Sequence, residues 1–168
     1  LATTEEFGHV KIGAGLEIVD GVVSAPKKDF LLGNFSNIQI VLGTNYFPNN
    51  ILSSNGLTYA TGTGGYVNLK AGKSYRITLN GRIEADAVFL ASLCLWDRTA
   101  NTAVNNSHSH WVSPNSTRSN GYPNSLDFII TVPGTSGTRL YNIRMNAYDG
   151  ADPYFGNWGE FRMLIQEI

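Results

Sequence analysis

The chain has 168 residues, of which 42% are hydrophobic, and its 12 basic and 13 acidic side chains leave a net charge of −1. This length suits one domain with an ordinary core and a short appendage. Because the charge is low and balanced, neither nucleic acid nor an anionic membrane is an expected partner. No apolar run approaches about 18 residues and no signal-peptide pattern opens the sequence, so neither membrane insertion nor a secretion signal is expected.

The fold class follows from the pattern of apolar residues. The sequence contains 18 glycines, together with many asparagines, serines and threonines, which is typical of a chain rich in turns. Apolar positions at the i, i+3, i+4 and i+7 spacing of a helix are not sustained anywhere, whereas alternation with period two is frequent. An all-β fold is therefore predicted.

The N-terminal segment differs in organisation from the rest of the chain. Apolar side chains alternate with polar or small ones at five positions, which are Val10, Ile12, Leu16, Ile18 and Val22. Strands this short have too little surface to form a core within one chain, so three copies wound around a common axis would bury these side chains. An ordinary N-terminal hairpin is the alternative. A Pro-Lys-Lys-Asp sequence then marks a boundary, which divides the chain into a segment of residues 1–28 and a domain of residues 29–168.

This segment also resembles a known type of fibre. Gly13–Ile18 followed by Asp20–Ala25 resembles one repeat of a viral fibre shaft, the triple β-spiral in which G-x-G-L precedes a turn and a second apolar strand. Thr3–Gly13 resembles the segment that joins domains in many bacteriophage tail-fibre proteins. The resemblance implies a short trimeric shaft.

The domain is predicted to contain ten strands, near residues 38–43, 57–60, 66–69, 73–80, 88–96, 102–105, 108–112, 126–131, 140–147 and 160–168. The two longest lie within Lys73–Trp96 and are expected to be joined by a tight turn at Glu84-Ala85-Asp86. Alternation from Tyr75 to Leu79 and from Phe89 to Leu95 puts these side chains on one sheet face, which is predicted to be a wall of the core. Cys94 is expected to be a half-buried small apolar residue, and Trp96 to lie in the core.

The order of these strands predicts where the loops lie. If every strand crosses the domain once, ten crossings return the C-terminus to the end next to the N-terminal segment. The same count places the loops near 44–56, 97–101, 114–124 and 148–158 together at the opposite end. Short turns at 85–87 and 133–137 are expected beside the N-terminal segment.

The domain resembles, along most of its length, the jelly-roll heads of complement-type proteins, tumour-necrosis-factor ligands, spore-surface collagen-like glycoproteins and phage receptor-binding proteins. The residues that carry this resemblance are Leu69–Ile77, Leu126–Gly134 and Phe161–Ile168. It implies an antiparallel jelly-roll sandwich that forms a trimer through aromatic residues of the inner strands.

Catalysis is not expected, because no nucleophile motif and no glycine-rich phosphate loop is present. Asp149 and Asp152 could form a glycosidase pair, although acids in a Gly/Asp/Pro sequence are more typical of turns. His108 and His110 would point the same way in a strand, and three copies could offer six imidazoles to one octahedral metal. Two solvated histidines are the alternative, and no metal or other cofactor is predicted.

Saccharide recognition is the favoured chemistry, because it needs flat apolar rings and charged hydrogen-bonding groups. The predicted ligand-binding residues are Arg98, Arg118, Tyr122, Asp149, Asp152 and Tyr154. Loop residues that only pack against neighbouring chains are the alternative.

These observations predict a homotrimeric receptor-binding head of a phage tail fibre or baseplate protein. It would sit at the distal tail of the virion, contact other tail proteins and attach to a host cell-surface saccharide. A non-catalytic structural or trimerisation head of a fibre or spore-surface protein is the competing hypothesis, and a secreted cytokine-like ligand is a third.

Overall fold

A computed structural model describes residues 17–19, 22–25, 27–85, 87–113, 124–150, 153–155 and 161–168. These residues form eighteen strands and no helix: β1 Glu17–Val19, β2 Val22–Ser24, β3 Phe30–Phe35, β4 Ile38–Gln39, β5 Asn45–Phe47, β6 Asn50–Asn55, β7 Thr58–Ala60, β8 Gly62–Thr63, β9 Tyr66–Lys70, β10 Ser74–Gly81, β11 Ile83–Ala85, β12 Phe89–Asp97, β13 Thr102–Ala103, β14 Ser109–Ser113, β15 Asn124–Thr131, β16 Thr138–Gly150, β17 Pro153–Phe155 and β18 Phe161–Glu167. None of the described residues belongs to a helix long and apolar enough to cross a lipid bilayer.

Two large antiparallel sheets form the domain. The first sheet has the strand order β15-β10-β18-β3-β6. The second sheet follows the path β13-β12-β16-β5-β8, with β14 added beside β12 and β9 beside β16. Because no two strands of the first sheet are consecutive in the sequence and every described pairing is antiparallel, the domain is a jelly-roll sandwich, which confirms the predicted fold class.

The core lies between the two sheets. Tyr75, Ile77 and Leu79 of β10 are completely buried, and so are Leu93 and Leu95 of β12. The predicted burial of both sets is therefore confirmed, but they belong to two facing sheets and do not form one wall as predicted. Their alternate neighbours face outward, as the period of a strand requires.

The strands β10 and β12 are not partners, although they are the two longest strands of the Lys73–Trp96 stretch. β10 pairs with β15 and β18, whereas β12 pairs with β13, β14 and β16. The predicted turn at Glu84-Ala85-Asp86 is wrong, because Glu84 and Ala85 belong to β11 and pair with Tyr154 and Pro153 of β17. The connection carries the chain from one sheet to the other instead of reversing it.

The start of the domain also differs from the prediction. Its first strand is β3, which pairs with β18, and the predicted strand at 38–43 is reduced to the two residues of β4, with Leu42 exposed. The predicted loop at 44–56 is wrong, because β5 and β6 occupy most of it. Tyr46 and Phe47 of β5 are buried, so their side chains fill the core.

The two ends of the sandwich are defined by the register of the first sheet. We call the end at which the domain begins the near end and the opposite one the far end. At the near end, Ser74 pairs with Thr131, and the Glu167 N–H donates to the Asp29 carbonyl at 2.9 Å. At the far end, Gly81 pairs with Asn124, and in the second sheet Phe89 pairs with Gly150. The C-terminus therefore returns to the end at which the domain begins, as the crossing count predicts.

The predicted distribution of loops is correct only in part. The 133–137 turn lies at the near end, where the Ala71 N–H donates to the Gly137 carbonyl. The 97–101 turn is also at the near end, because the Arg98 N–H donates to the Leu140 carbonyl, so its predicted placement is wrong. Residues 83–85 lie at the far end, opposite to the prediction, since β11 joins the far ends of β10 and β12.

A polar cluster fastens the first residues of the domain at the near end. The Asp29 carboxylate is buried and accepts hydrogen bonds from the Tyr75 hydroxyl at 2.9 Å and the Lys70 Nζ at 2.7 Å. Glu167 accepts from the Asp29 N–H at 3.2 Å and from the Lys73 Nζ at 2.7 Å. The hydrogen bond from Lys73 holds the pKa of Glu167 below its usual value. Strands β3, β9, β10 and β18 are thereby joined.

The predicted division into residues 1–28 and 29–168 stays a prediction. In the N-terminal segment β1 and β2 pair antiparallel, with Ile18 opposite Val23. Residues 1–16, which include Leu16 and the G-x-G sequence, lie outside the described residues. Val22 is 64% exposed, so the segment leaves this apolar side chain uncovered within one chain.

Candidate functional site

The predicted ligand-binding residues do not form one constellation. Arg98 lies at the near end, where its Nη1 donates to the Gly64 carbonyl at 2.8 Å and its guanidinium lies 5.3 Å from the centre of the Tyr66 ring. Asp149 lies close to the far end of β16, opposite Leu90. Arg98 follows Asp97, and Asp149 pairs with Leu90. Because Asp97 and Leu90 are seven positions apart on β12, Arg98 and Asp149 are separated by roughly 23 Å along the strand.

Tyr154 shares the far end with Asp149. It is half-buried in β17, between Glu84 of β11 and Gln39 of β4. The predicted loop at 148–158 is thus partly strand, since β16 runs to Gly150 and β17 begins at Pro153. Arg118, Tyr122 and Asp152 lie outside the described residues.

A groove runs over the outer face of β12 at the far end. Its floor is formed by Leu90 and Ser92, which alternate outward from the buried Phe89, Ala91 and Leu93. The neighbouring strands supply the walls: Leu90 lies between Asp149 of β16 and Val112 of β14, and Ser92 lies between Ala147 and His110. We call this depression the far-end groove; Leu90, Ser92, His110, Ala147 and Asp149 enclose about 160 Å³.

The mouth of the far-end groove is apolar. Val88, Leu90 and Val112 are each about half exposed, at 55%, 46% and 49%, and a wider depression of about 460 Å³ connects them with Asp149 and Gly150. Adjacent exposed aliphatic side chains beside a carboxylate are uncommon on a surface that contacts only water. The arrangement offers apolar contact and hydrogen-bond acceptors within the same depression.

A β-bulge lies at the inner end of the groove. Leu93 pairs with Met145 and Ser92 with Ala147, so Asn146 is an extra residue of β16 without a partner in the β12 register. The side chain of Asn146 instead meets His108, with 3.0 Å between Asn146 Nδ2 and His108 Nε2. We call this pair the clasp. Because β14 follows His108 and β16 contains Asn146, the clasp passes over β12, which lies between them.

The clasp bears on the alternative in which His108 and His110 bind a metal ion. His108 contacts Asn146, whereas His110 lines the groove, so the two imidazoles have different surroundings within one chain. Among the described residues, no group of three or more histidine, cysteine, aspartate or glutamate side chains is arranged to hold a metal ion. The prediction that no cofactor is needed remains a prediction.

Cys94 lies one outward position beyond Ser92 on β12. Its side chain is completely buried, and burial raises the pKa of the thiol to about 11. Cys94 is therefore more deeply buried than the half-buried position that the sequence predicted. Its thiol is accordingly protonated at neutral pH, which makes it a poor nucleophile.

The tryptophans of the second sheet have different roles. Trp111 is buried, with its ring centre 5.1 Å from that of Phe161. Trp96 was expected in the core, but it is half-exposed on the outer face, with the Arg144 guanidinium 4.1 Å from its ring centre. The expectation fails because Asp97, not Trp96, takes the last inward position of β12, where it pairs with Arg139 at 2.7 Å.

Most of the groove was not found from the sequence. Leu90, Ser92, Val112 and Ala147 were not among the predicted site residues. One signal was present: Leu90 is an apolar residue on the polar phase of the alternation Phe89–Leu95, which indicates an exposed apolar side chain. The partner strands of Leu90 could not be inferred from this pattern.

Comparisons with known proteins give likenesses of fold. No protein-family model matches the chain, and no curated protein does. Among solved structures, the Eiger tumour necrosis factor of S. frugiperda is 11% identical, with 83% of this chain and 90% of that chain covered and a TM-score of 0.46. The infectious bursal disease virus Gx strain structure is 12% identical, covering 89% and 36%, with a TM-score of 0.41. The enzymatically active domain of bacteriophage CBA120 tailspike protein 4 is 13% identical, covering 83% and 19%, with a TM-score of 0.31.

Proposed function

We propose that this chain is the receptor-binding head of a phage tail fibre or baseplate protein and that it attaches the virion to a host cell-surface saccharide. The observation that carries the proposal is Asp149, a carboxylate set in an apolar groove. A sugar ring has C–H faces that pack on aliphatic side chains and hydroxyls that donate to a carboxylate. The groove supplies both kinds of contact.

The position of the groove supports this role. The N-terminal segment and the C-terminus join the sandwich at the near end, so a fibre attached there would leave the far end directed toward a cell. The head acts as a homotrimer and not as an enzyme. Three weak sites on one trimer raise the strength of attachment through avidity.

The test measures binding of the full chain to a panel of immobilised bacterial surface polysaccharides. We expect Asp149→Asn to weaken binding roughly tenfold, because a hydrogen bond to a charged group contributes about 1.5–3 kcal/mol. Arg98→Ala is the matched control, since Arg98 lies at the other end of the sandwich, and it should leave binding unchanged. Binding that depends on Arg98 but not on Asp149 would place the site at the near end. A wild-type chain that binds no polysaccharide of the panel would refute the proposal.

A further inference from the structure

We propose that the far-end groove binds the terminal sugar of a saccharide chain that carries no acidic group, and that the clasp of His108 and Asn146 is the wall that excludes internal segments. This inference rests on the proposed function and specifies the ligand of the same site. It is carried by the shape and the charge of the described residues along β12.

The groove is closed at one end. Along the outward positions of β12, the exposed fraction falls from 46% at Leu90 to 7% at Ser92 and 0% at Cys94. These three positions span about 13 Å of strand. The floor of the groove is therefore exposed at Leu90, toward the far end, and fully covered at Cys94.

The clasp stands where the floor disappears. β14 and β16 flank β12 on opposite sides, so the 3.0 Å contact between their side chains bridges the strand on its outer face. His108 precedes Ser109, the partner of Leu93, which places the bridge beside Cys94. A polymer lying in the groove cannot continue past this bridge, whereas the end of a chain can enter from the far end and stop there.

The charge of the groove selects against acidic sugars. The described lining residues include the Asp149 carboxylate and no lysine or arginine. Arg144 is the basic residue next along β16, but its guanidinium lies over Trp96 on the other side of the clasp. A phosphate or uronate would meet a like charge at Asp149, and the described lining residues include neither a lysine nor an arginine to offset it. A neutral terminal sugar can instead donate its hydroxyls to that carboxylate.

The β-bulge in β16 determines where along β12 the clasp lies. An extra residue in β16 directs Asn146 across β12, and bulges commonly redirect a side chain near a site. Asn146 is thus a specificity-determining residue in this proposal. It closes the groove without contacting the charged end of it.

The experiment uses the full chain on a printed array that presents each sugar once as a terminal unit and once as an internal unit, with neutral and acidic sugars in both positions. We expect the wild type to bind neutral terminal units at least about tenfold more strongly than internal or acidic ones. Asn146→Ala should reduce the preference for terminal over internal units. Asn80→Ala, at an exposed position on the first sheet, should not.

A second readout is independent of sugar binding. Opening the clasp should let N-ethylmaleimide reach Cys94 faster in folded Asn146→Ala than in the wild type, and His108→Ala should have the same effect. Unchanged urea midpoints show that the faster labelling is not caused by unfolding. If either folded variant labels at the wild-type rate, the clasp is not the wall and the inference is wrong.

The outcomes separate this inference from the proposed function. Equal wild-type binding to terminal and internal units, or preferred binding to acidic sugars, overturns the inference and leaves the receptor-binding function standing. A wild type that binds no sugar on the array overturns both. Preference for neutral ends, lost together with Cys94 protection in both clasp variants, supports both.

Discussion

Leu90 is the residue on which the floor of the far-end groove depends. We expect Leu90→Ser to weaken saccharide binding roughly tenfold, because it removes most of an aliphatic contact surface that contributes about 25 cal/mol per Å². The side chain is 46% exposed, so the free energy of unfolding should change by less than about 1 kcal/mol. Isothermal titration and urea unfolding measure the two quantities.

Val41→Ser is the matched control for this change. Val41 is 50% exposed, but it lies beside the 42–43 turn and not in the groove. It should therefore lose as little stability as Leu90→Ser while keeping full binding. Equal binding losses in the two variants would show that the effect comes from a general change of the surface and not from the floor of the groove.

Glu167 gives the near end a dependence on pH. The Lys73 ammonium lowers the pKa of Glu167 from its ordinary value of 4.5, so the folded state binds this proton less tightly than the unfolded state does. The stabilisation is present above about pH 4.5 and is lost as the pH falls through the lower folded value. Glu167→Gln should cost up to about 1 kcal/mol at neutral pH, as is usual for a partly exposed ion pair.

The measurement compares urea midpoints of wild type and Glu167→Gln from neutral to strongly acidic pH. We expect the difference between the two proteins to shrink below about pH 4.5, the ordinary value of the carboxyl. A difference that stays constant through the acid range would mean that the charge of Glu167 does not stabilise the near end.

At the near end, the turn that follows β6 packs closely against the residue that precedes β3. Gly56 has φ +69°, and a Cβ there would overlap the carboxylate of Asp29. Gly56→Ala should therefore combine left-handed strain of about 1–2 kcal/mol with lost hydrogen bonds from Tyr75 and Lys70, each removal costing about 1–3 kcal/mol. The result is a larger loss of stability than strain alone produces.

Gly62→Ala isolates the strain. Gly62 has φ +79° and nothing lies within 4 Å of a Cβ built there, so only the backbone cost applies. Urea unfolding of both variants gives the comparison. Equal losses at Gly56 and Gly62 would indicate that Asp29 moves aside without cost and that the polar cluster is not a fastening of β3.

For the protein as a whole, assembly is the property to measure. We expect light scattering of the full chain to give three times the mass of one chain, because Val22 is 64% exposed in an N-terminal hairpin that has too few residues to form a core. Val22→Asp should weaken the trimer, since three like charges would then meet near one axis. A wild-type chain of monomeric mass at micromolar concentration would contradict this expectation.

Local patterns were enough to predict much of the fold. Alternation identified β9, β10, β12, β15, β16 and β18, because a strand with one buried face repeats every two residues whatever its partners are. The prediction failed at β3, β5 and β6. There the buried residues Leu31, Tyr46 and Phe47 lie within a few positions of asparagine, glycine or proline, which usually indicate loops.

The ends of strands were harder to assign than the strands themselves. Counting one crossing per strand placed Arg98 and Asp149 at the same end, but β11, β4 and β17 are short additions to the count and β16 crosses the whole sheet. A miscounted strand reverses the expected end of the loops that follow it until a second miscount restores the order. β13 was counted as a full crossing, although its two residues pair at the near end of β12, so the later 133–137 turn lies at its predicted end. An error of one element therefore moved Arg98 from the near end to the far end in the prediction.

The sequence alone was enough to predict the all-β class, the burial of the alternating side chains at Tyr75–Leu79 and Phe89–Leu95, and the return of the C-terminus to the near end. The strands that flank β12 became known only from the folded chain, and with them the groove of Leu90, His110 and Asp149 and the clasp of His108 and Asn146. The physical reason is that side-chain alternation is a local property, whereas strand pairing and the bulge at Asn146 depend on backbone hydrogen bonds between residues far apart in the chain.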